Sequence, residues 1–254
     1  MPHYIGPDPD FETDNYPGDF TEITDVEFPS NAHGGTSAKS VDATGNLTRA
    51  GIITAADGQE HTLAAWGQSD DLTSEVASKS PVFMAMRQGP GQTRFHWIMM
   101  TGAAAHGRHE IRFHRWSNLN ELFFVSTNRF DDDIRRQYMV VCESALQSAP
   151  ETLQDAIRLY EGKNGTRVAG TVIKVGLGDQ GGEGLGNLTV LSTENSGVIS
   201  NSGFITSRPR IWRTTKLTDA QIADYSLDEV EATAAMIEEK QHRGLILLDG
   251  APRC

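Results

Sequence analysis

GFITSRPRIWRTTKLTDAQIADY, residues 203–225, joins an apolar strand to a polar turn and a single helical turn. Ile205, Ile211 and Trp212 make the strand, with Arg and Ser between them. Thr218-x-x-Gln221 is a capping box, in which hydroxyl and amide each satisfy a backbone N–H at the start of a helix. Leu217 and Ile222 flank that box, so the turn is expected to fold back over the end of the strand.

Working back from this stretch, short apolar runs recur from about residue 49, separated by turn residues. They are GIITAA, HTLAAWG, PVFMAMRQ, RFHWIMMT, HEIRFHRW, ELFFVST, QYMVVCES, AIRLYEG, TRVAGTVIKV, NLTVLS and GFITSRPRIW. Many short strands without interleaved helices predict a sandwich or barrel. In RFHWIMM, alternation puts Phe95, Trp97 and Met99 on one face and His96, Ile98 and Met100 on the other. A second capping box, Ser226-x-x-Glu229, predicts a helix to about Arg243, stopped by Gly244, with a thin apolar stripe.

Residues 1–38 carry eight acidic side chains and no Lys or Arg. Two readings stand side by side: a solvated tail, or an extended arm lying on a neighbouring subunit. Tyr4, Ile5, Phe11, Tyr16, Phe20 and Phe28 would be the arm's anchors, and FTEI and VEF could each pair as a strand. Residues 30–48 read as a small-residue linker or loop. The expected organisation is an arm over 1–38, a β domain over 39–225, and a C-terminal helix and tail over 226–254.

The chain has 254 residues and a net charge of −12, which argues against a broad nucleic-acid surface. No run of about 18 apolar residues is present, so no membrane insertion is expected. The first residues lack the basic and apolar regions of a secretory signal. Cys142 and Cys254 do not make a disulfide framework, and Cys142 in QYMVVCES reads as a small buried hydrophobe.

The order of pieces resembles the concanavalin A-like jelly roll, specifically its laminin-G-like branch. The resemblance rests on HTLAAWG with Trp66, on the turn in LYEGKNG (159–165), and above all on residues 203–225. It covers roughly residues 49–225 and implies a sandwich of two antiparallel sheets. The glycine-rich loop GLGDQGGEGLG and the long acidic leader depart from the family pattern.

Such a fold hosts many functions, so function must come from a site. Glucanases that resemble it carry ExDxE or ExDxxE on one strand, because two carboxylates must flank the scissile bond. No strand here has that pattern, and Glu12-Thr13-Asp14 sits in the leader, so hydrolysis is disfavoured and no enzyme is expected. His106, His109 and His114 cluster in AHGRHEIRFH, but alternation sends His109 and His114 to opposite faces, against a zinc site. Arg94, His96, Arg112 and His114, with Trp116 close by, offer an aromatic beside hydrogen-bonding side chains, a pattern suited to a sugar. The alternative is a solvated or subunit-facing sheet surface. Asp131, Asp132 and Asp133 are candidate calcium ligands, set against local pairing with Arg129, Arg135 and Arg136. Asp179 and Glu183 are a weaker calcium pair in a loop lacking the Gly-Lys-Ser/Thr end of a phosphate-binding loop.

Family members of this kind are usually exported, yet the chain shows no export signal and no disulfides. The expectation that removes this conflict is a non-enzymatic component of a bacteriophage particle: a capsid decoration, fibre or tail protein made in the host cytoplasm. It would dock through its arm on itself or on other virion proteins and expose a lectin-like jelly roll to a host surface glycan. The alternative is a free carbohydrate-binding module.

Overall fold

The structure, a computed structural model, describes residues 6–30, 35–41, 45–53, 60–68, 82–87, 95–101, 110–116, 121–129, 136–142, 155–162, 165–175, 185–191 and 205–225. In chain order these hold β1 (Phe11–Glu12), α1 (Tyr16–Asp19), β2 (Glu22–Thr24), β3 (Val26–Glu27), β4 (Ala38–Ser40), β5 (Asn46–Ile53), β6 (His61–Gln68), β7 (Val82–Arg87), β8 (Phe95–Thr101) and β9 (Glu110–Trp116). They continue with β10 (Glu121–Arg129), β11 (Arg136–Cys142), β12 (Ile157–Glu161), β13 (Thr166–Arg167), β14 (Gly170–Val175), β15 (Leu185–Leu191) and β16 (Ile205–Trp212). The fold is an all-β sandwich of two antiparallel sheets, as the apolar runs and the family resemblance together imply. The first sheet runs β13-β12-β11-β6-β16-β4-β3, with β1 also on β16, and the second runs β14-β10-β9-β8-β7-β15-β5-β2.

Each of the eleven apolar runs contains a strand, and one divides. TRVAGTVIKV holds β13 in the first sheet and β14 in the second. Its first part closes a hairpin on β12 through Gly162 (φ +67°) and Gly165 (φ +57°), left-handed positions that glycine takes without a Cβ penalty. Its second part crosses over to pair with β10.

Alternation sorts the side chains as expected. Trp97 and Met99, Ile111 and Phe113, Leu122 and Phe124, and Leu188 and Val190 enter the core between the sheets. Thr206 ties the layers together, its hydroxyl reaching the Trp66 carbonyl (3.0 Å) in one sheet and the Phe83 carbonyl (3.4 Å) in the other. A smaller cluster lies on the other face of the first sheet: Ala64, Tyr160, Trp212, Leu217, Ile222 and Tyr225. It exists because Ile211 and Trp212, being consecutive, point to opposite faces of β16. The helical turn over residues 219–225 lands on that outer cluster. Its capping box is formed, with Thr218 N–H donating to Gln221 Oε1 (2.9 Å) and Gln221 N–H donating to Thr218 Oγ1 (3.4 Å).

SRPR, inside β16, is a bulge. The pairing with β6 shifts register between Ser207 and Arg210, and Arg208 has φ +45°. Pro209, which has no N–H to give a ladder, is tolerated where the ladder is already broken.

The leader is where expectation and structure part. Among the described residues of the leader, 6–30 and 35–38, the chain is not an arm left to grip a neighbour. β1 pairs with β16, β2 with β5 and β3 with β4, so the leader supplies strands to both sheets. Tyr16 and Phe20 stack at 5.2 Å and are buried in the chain's own core, with Phe11 and Phe28 packed against it. The stretch 30–48 is likewise more than a linker, since β4 and the first residues of β5 fall in it. The boundary at residue 38 therefore divides nothing structural.

Charge complementarity explains the docking. Glu12 Oε1 lies 2.7 Å from Arg208 Nη2 and 2.9 Å from Arg210 Nε, while Asp14 meets Arg208 at 3.2 Å. Asp19 meets Arg49 at 2.9 Å, and Thr13 donates to Asp19. Asp10 accepts from the Arg213 N–H (2.7 Å). One carbonyl, that of Pro7, accepts from both Trp212 Nε1 (2.8 Å) and the Tyr225 hydroxyl (2.5 Å).

Candidate functional site

The face of the second sheet turned away from the core carries Arg112 and His114, two of the residues that sequence reasoning singled out. Register makes one continuous row across all eight strands: Ile173, Phe123, His114, Ile98, Ala85, Thr189, Thr48 and Glu22. At about 4.8 Å per strand, the row spans roughly 34 Å. A parallel row beside it holds Thr171, Val125, Arg112 and Met100.

The two ends of the long row differ. At the β14 end Ile173 is 39% exposed, with Phe123 and His114 half-buried. The rings of His114 and Phe123 stack at 5.1 Å, 11° from parallel. Arg112, two residues along β9, shares that face and is half-buried. This end therefore combines a cation, an imidazole and an aromatic-aliphatic platform. At the β5 end Ala85, Thr189 and Thr48 are buried, although they face away from the main core.

Of the five residues proposed for a sugar face, Arg112 and His114 are together as expected. His96 lies on β8 one residue before Trp97, whose partner is Arg115, and Trp116 is opposite Glu121. Arg94 lies outside the described residues. Sequence reasoning missed Phe123 and Ile173, the apolar neighbours of His114. Alternation within ELFFVST and TVIKV marks both as outward, but only the strand order puts them beside β9. It also missed the threonine end, because isolated Thr in a strand carries no signal of its own.

Among the described residues no three His, Cys, Asp or Glu side chains gather to hold a metal ion. Asp131, Asp132, Asp133, Asp179 and Glu183 lie outside those residues, as do Tyr4 and Ile5 among the proposed anchors and the whole of 226–254. No helix among the described residues is long and apolar enough to cross a membrane.

A second polar cluster holds the helical turn. The Tyr160 hydroxyl donates to Asp219 Oδ1 (2.8 Å) and accepts from Arg158 Nη1 (2.9 Å). Burial, reinforced by the hydrogen bond to Asp219, pushes the Tyr160 phenol up to about 12, so it stays a proton donor. At the leader, burial alone would raise the Glu12 carboxyl, but the guanidiniums of Arg210 and Arg208 outweigh it and hold it below the usual carboxylate range. Burial likewise raises the Tyr225 phenol. All three groups fasten one part of the chain to another.

No family model and no curated protein matches this chain. Solved structures do match in shape. The botulinum neurotoxin serotype G binding domain superposes with a TM-score of 0.53 at 8% identity, over 83% of this chain and 46% of that one. The serotype D binding domain gives 0.51 at 12% identity, over 82% and 46%. The Trypanosoma rangeli sialidase in complex with sialic acid gives 0.51 at 12% identity, over 83% and 30%. The chain spans less than half the length of these structures. The likeness is one of fold: this protein is a jelly-roll-like β-sandwich.

Proposed function

We propose that this chain is a non-catalytic carbohydrate-recognition module whose ligand lies on the outward face of the second sheet. The observation that carries the reading is the juxtaposition of Arg112, His114, Phe123 and Ile173 on one exposed end of a continuous row. A sugar ring has an apolar face and a polar rim. An aromatic-aliphatic platform beside directional donors suits both. A guanidinium next to an imidazole further suits a sugar that carries a carboxylate. The reading as a phage-particle component rested on the want of an export signal and of disulfides, on the want of a catalytic constellation and on a leader free to dock elsewhere. With β1, β2 and β3 of that leader paired in the chain's own sheets, the arm no longer supports it.

The test is a glycan array with the full chain, with and without EDTA, followed by calorimetry on hits. Phe123→Ala and Arg112→Ala should each weaken binding at least tenfold, while Thr127→Ala, an exposed position on the same strand, should not. An array blank in both conditions overturns the reading. Binding unchanged in both variants moves the site elsewhere.

A further inference from the structure

The first described part of the leader is held differently from the rest. From Gly6 to Glu12 no residue is buried, and Phe11 packs on the core only in part. From Thr13 onward the leader enters the interior, with Thr13, Tyr16 and Phe20 all buried. Asp14 marks the change. Its carbonyl accepts from the Thr36 N–H (2.6 Å), and Thr36 Oγ1 accepts from the Tyr16 N–H (3.1 Å). A segment with few buried apolar contacts opens at lower cost than the core it lies on.

What fastens residues 6–12 is mostly polar and converges on the end of β16. The Pro7 carbonyl takes the two donors of Trp212 and Tyr225, Asp10 takes the Arg213 N–H, and Glu12 Oε1 takes Arg208 and Arg210. A Cβ built on Gly6 would come within 2.9 Å of Tyr225 Cε2, so this backbone lies directly on that ring. Trp212 and Tyr225 meet edge to face at 4.9 Å beneath it. The Arg210 side chain is 1% exposed, and Glu12 supplies its opposite charge. Taking the charge off one partner of such a pair leaves the other ion poorly compensated away from water. Lifting residues 6–12 brings water to Arg208 and Arg210, and the core need not open for that.

We propose that residues 6–12 are an acid-released strap, latched by Glu12 on Arg208 and Arg210 and hinged at Thr13 and Asp14, whose opening uncovers Trp212 and Tyr225 on the outer face of the first sheet. Among the described residues, the charged and titratable groups around the latch are Arg208, Arg210 and Arg213 at β16, Asp8, Asp10 and Asp14 on the leader, and Tyr225 and Asp224 on the helical turn. Arg49, paired with Asp19, lies over the Phe11 ring. The two arginines hold the Glu12 carboxyl below its ordinary value, so the latch is closed above about pH 4.5 and lets go as the pH falls through the lower folded value. Arg112 and His114 sit on the other sheet, so the strap opens without disturbing them.

The experiment follows amide hydrogen exchange and the Trp212 indole N–H resonance of the full chain between about pH 6 and about pH 3.5, with each rate divided by its intrinsic value at that pH. The amides of β1 and the Arg213 amide should lose protection about tenfold or more across that range, and the Trp212 indole signal should shift with them. The amides of β6, β9 and β10 should keep their protection. Glu12→Gln should show the open pattern already at the upper pH and lose its pH dependence. If that variant does not fold, the wild-type series decides alone. Strap and core amides losing protection together would overturn the proposal, because the acid transition is then unfolding of the whole sandwich. Strap amides that stay protected until the core melts would also overturn it. A Glu12→Gln strap that opens at the wild-type midpoint would overturn Glu12 as the latch.

Discussion

Gly170 opens β14 at the point where the chain crosses from one sheet to the other. A Cβ built there would sit 2.2 Å from Phe124 Cζ and 2.5 Å from the Val125 carbonyl oxygen. Phe124 belongs to the core and its strand is paired on both sides, so neither obstacle can step aside. Gly170→Ala should therefore destabilise the fold by about 1–3 kcal/mol, the usual penalty of overpacking. Urea denaturation will show it as a lowered midpoint. The companion substitution Thr171→Ala, one residue on and exposed, should leave the unfolding free energy within about 0.5 kcal/mol of wild type.

Among the elements, β1 and β16 form the most informative pair. Arg210 is buried, and Glu12, about a third exposed, faces it from β1. Because the folded carboxyl titrates below its unfolded value, its contribution is present above about pH 4.5 and is lost as the pH falls through the lower folded value. The melting temperature should consequently drop on acidification through that window. Glu12→Gln should lower stability at pH 7 by on the order of 1–2 kcal/mol, between a surface pair and a buried one because solvent screens the partly exposed carboxylate, and flatten the acid limb. An acid limb as steep in the variant as in wild type would exclude Glu12 as its source. This pair also marks how far the sequence can be read. The strands were legible because alternation and turn residues are local, and Thr218-x-x-Gln221 announced its own helical turn. The partner of β1 was not legible from spacing, since Glu12 and Arg210 are 198 residues apart. A weaker signal was present: a leader with eight acids and no Lys or Arg answers a closing stretch that carries Arg208, Arg210 and Arg213. Read together, they predict contact; read singly, the acids suggest a solvated tail. For the same reason Arg112 and His114 were found from one strand, while Phe123 and the threonine pair needed the strand order.

For the molecule as a whole, the sandwich includes its leader. A chain beginning at residue 39 loses β1, β2 and β3, and with them Tyr16 and Phe20 from the core. Removing two buried aromatics alone costs about 3–5 kcal/mol each, comparable to the whole stability of a domain. Such a chain should be insoluble or lack a cooperative thermal transition. A soluble, cooperatively melting product would show that the leader only decorates a self-sufficient body.

The double acceptor at Pro7 sets a timetable. Its donor Trp212 lies 205 residues downstream, so the leader's docking strand does not exist while most of the protein is still being made. At about 5–20 residues per second, the newborn leader waits roughly 10–40 s on the ribosome before β16 emerges. Through that interval Tyr16 and Phe20 have no core to enter, and its acids repel one another. That repulsion keeps an apolar-dotted segment apart from its copies on neighbouring ribosomes until β16 arrives with its arginines.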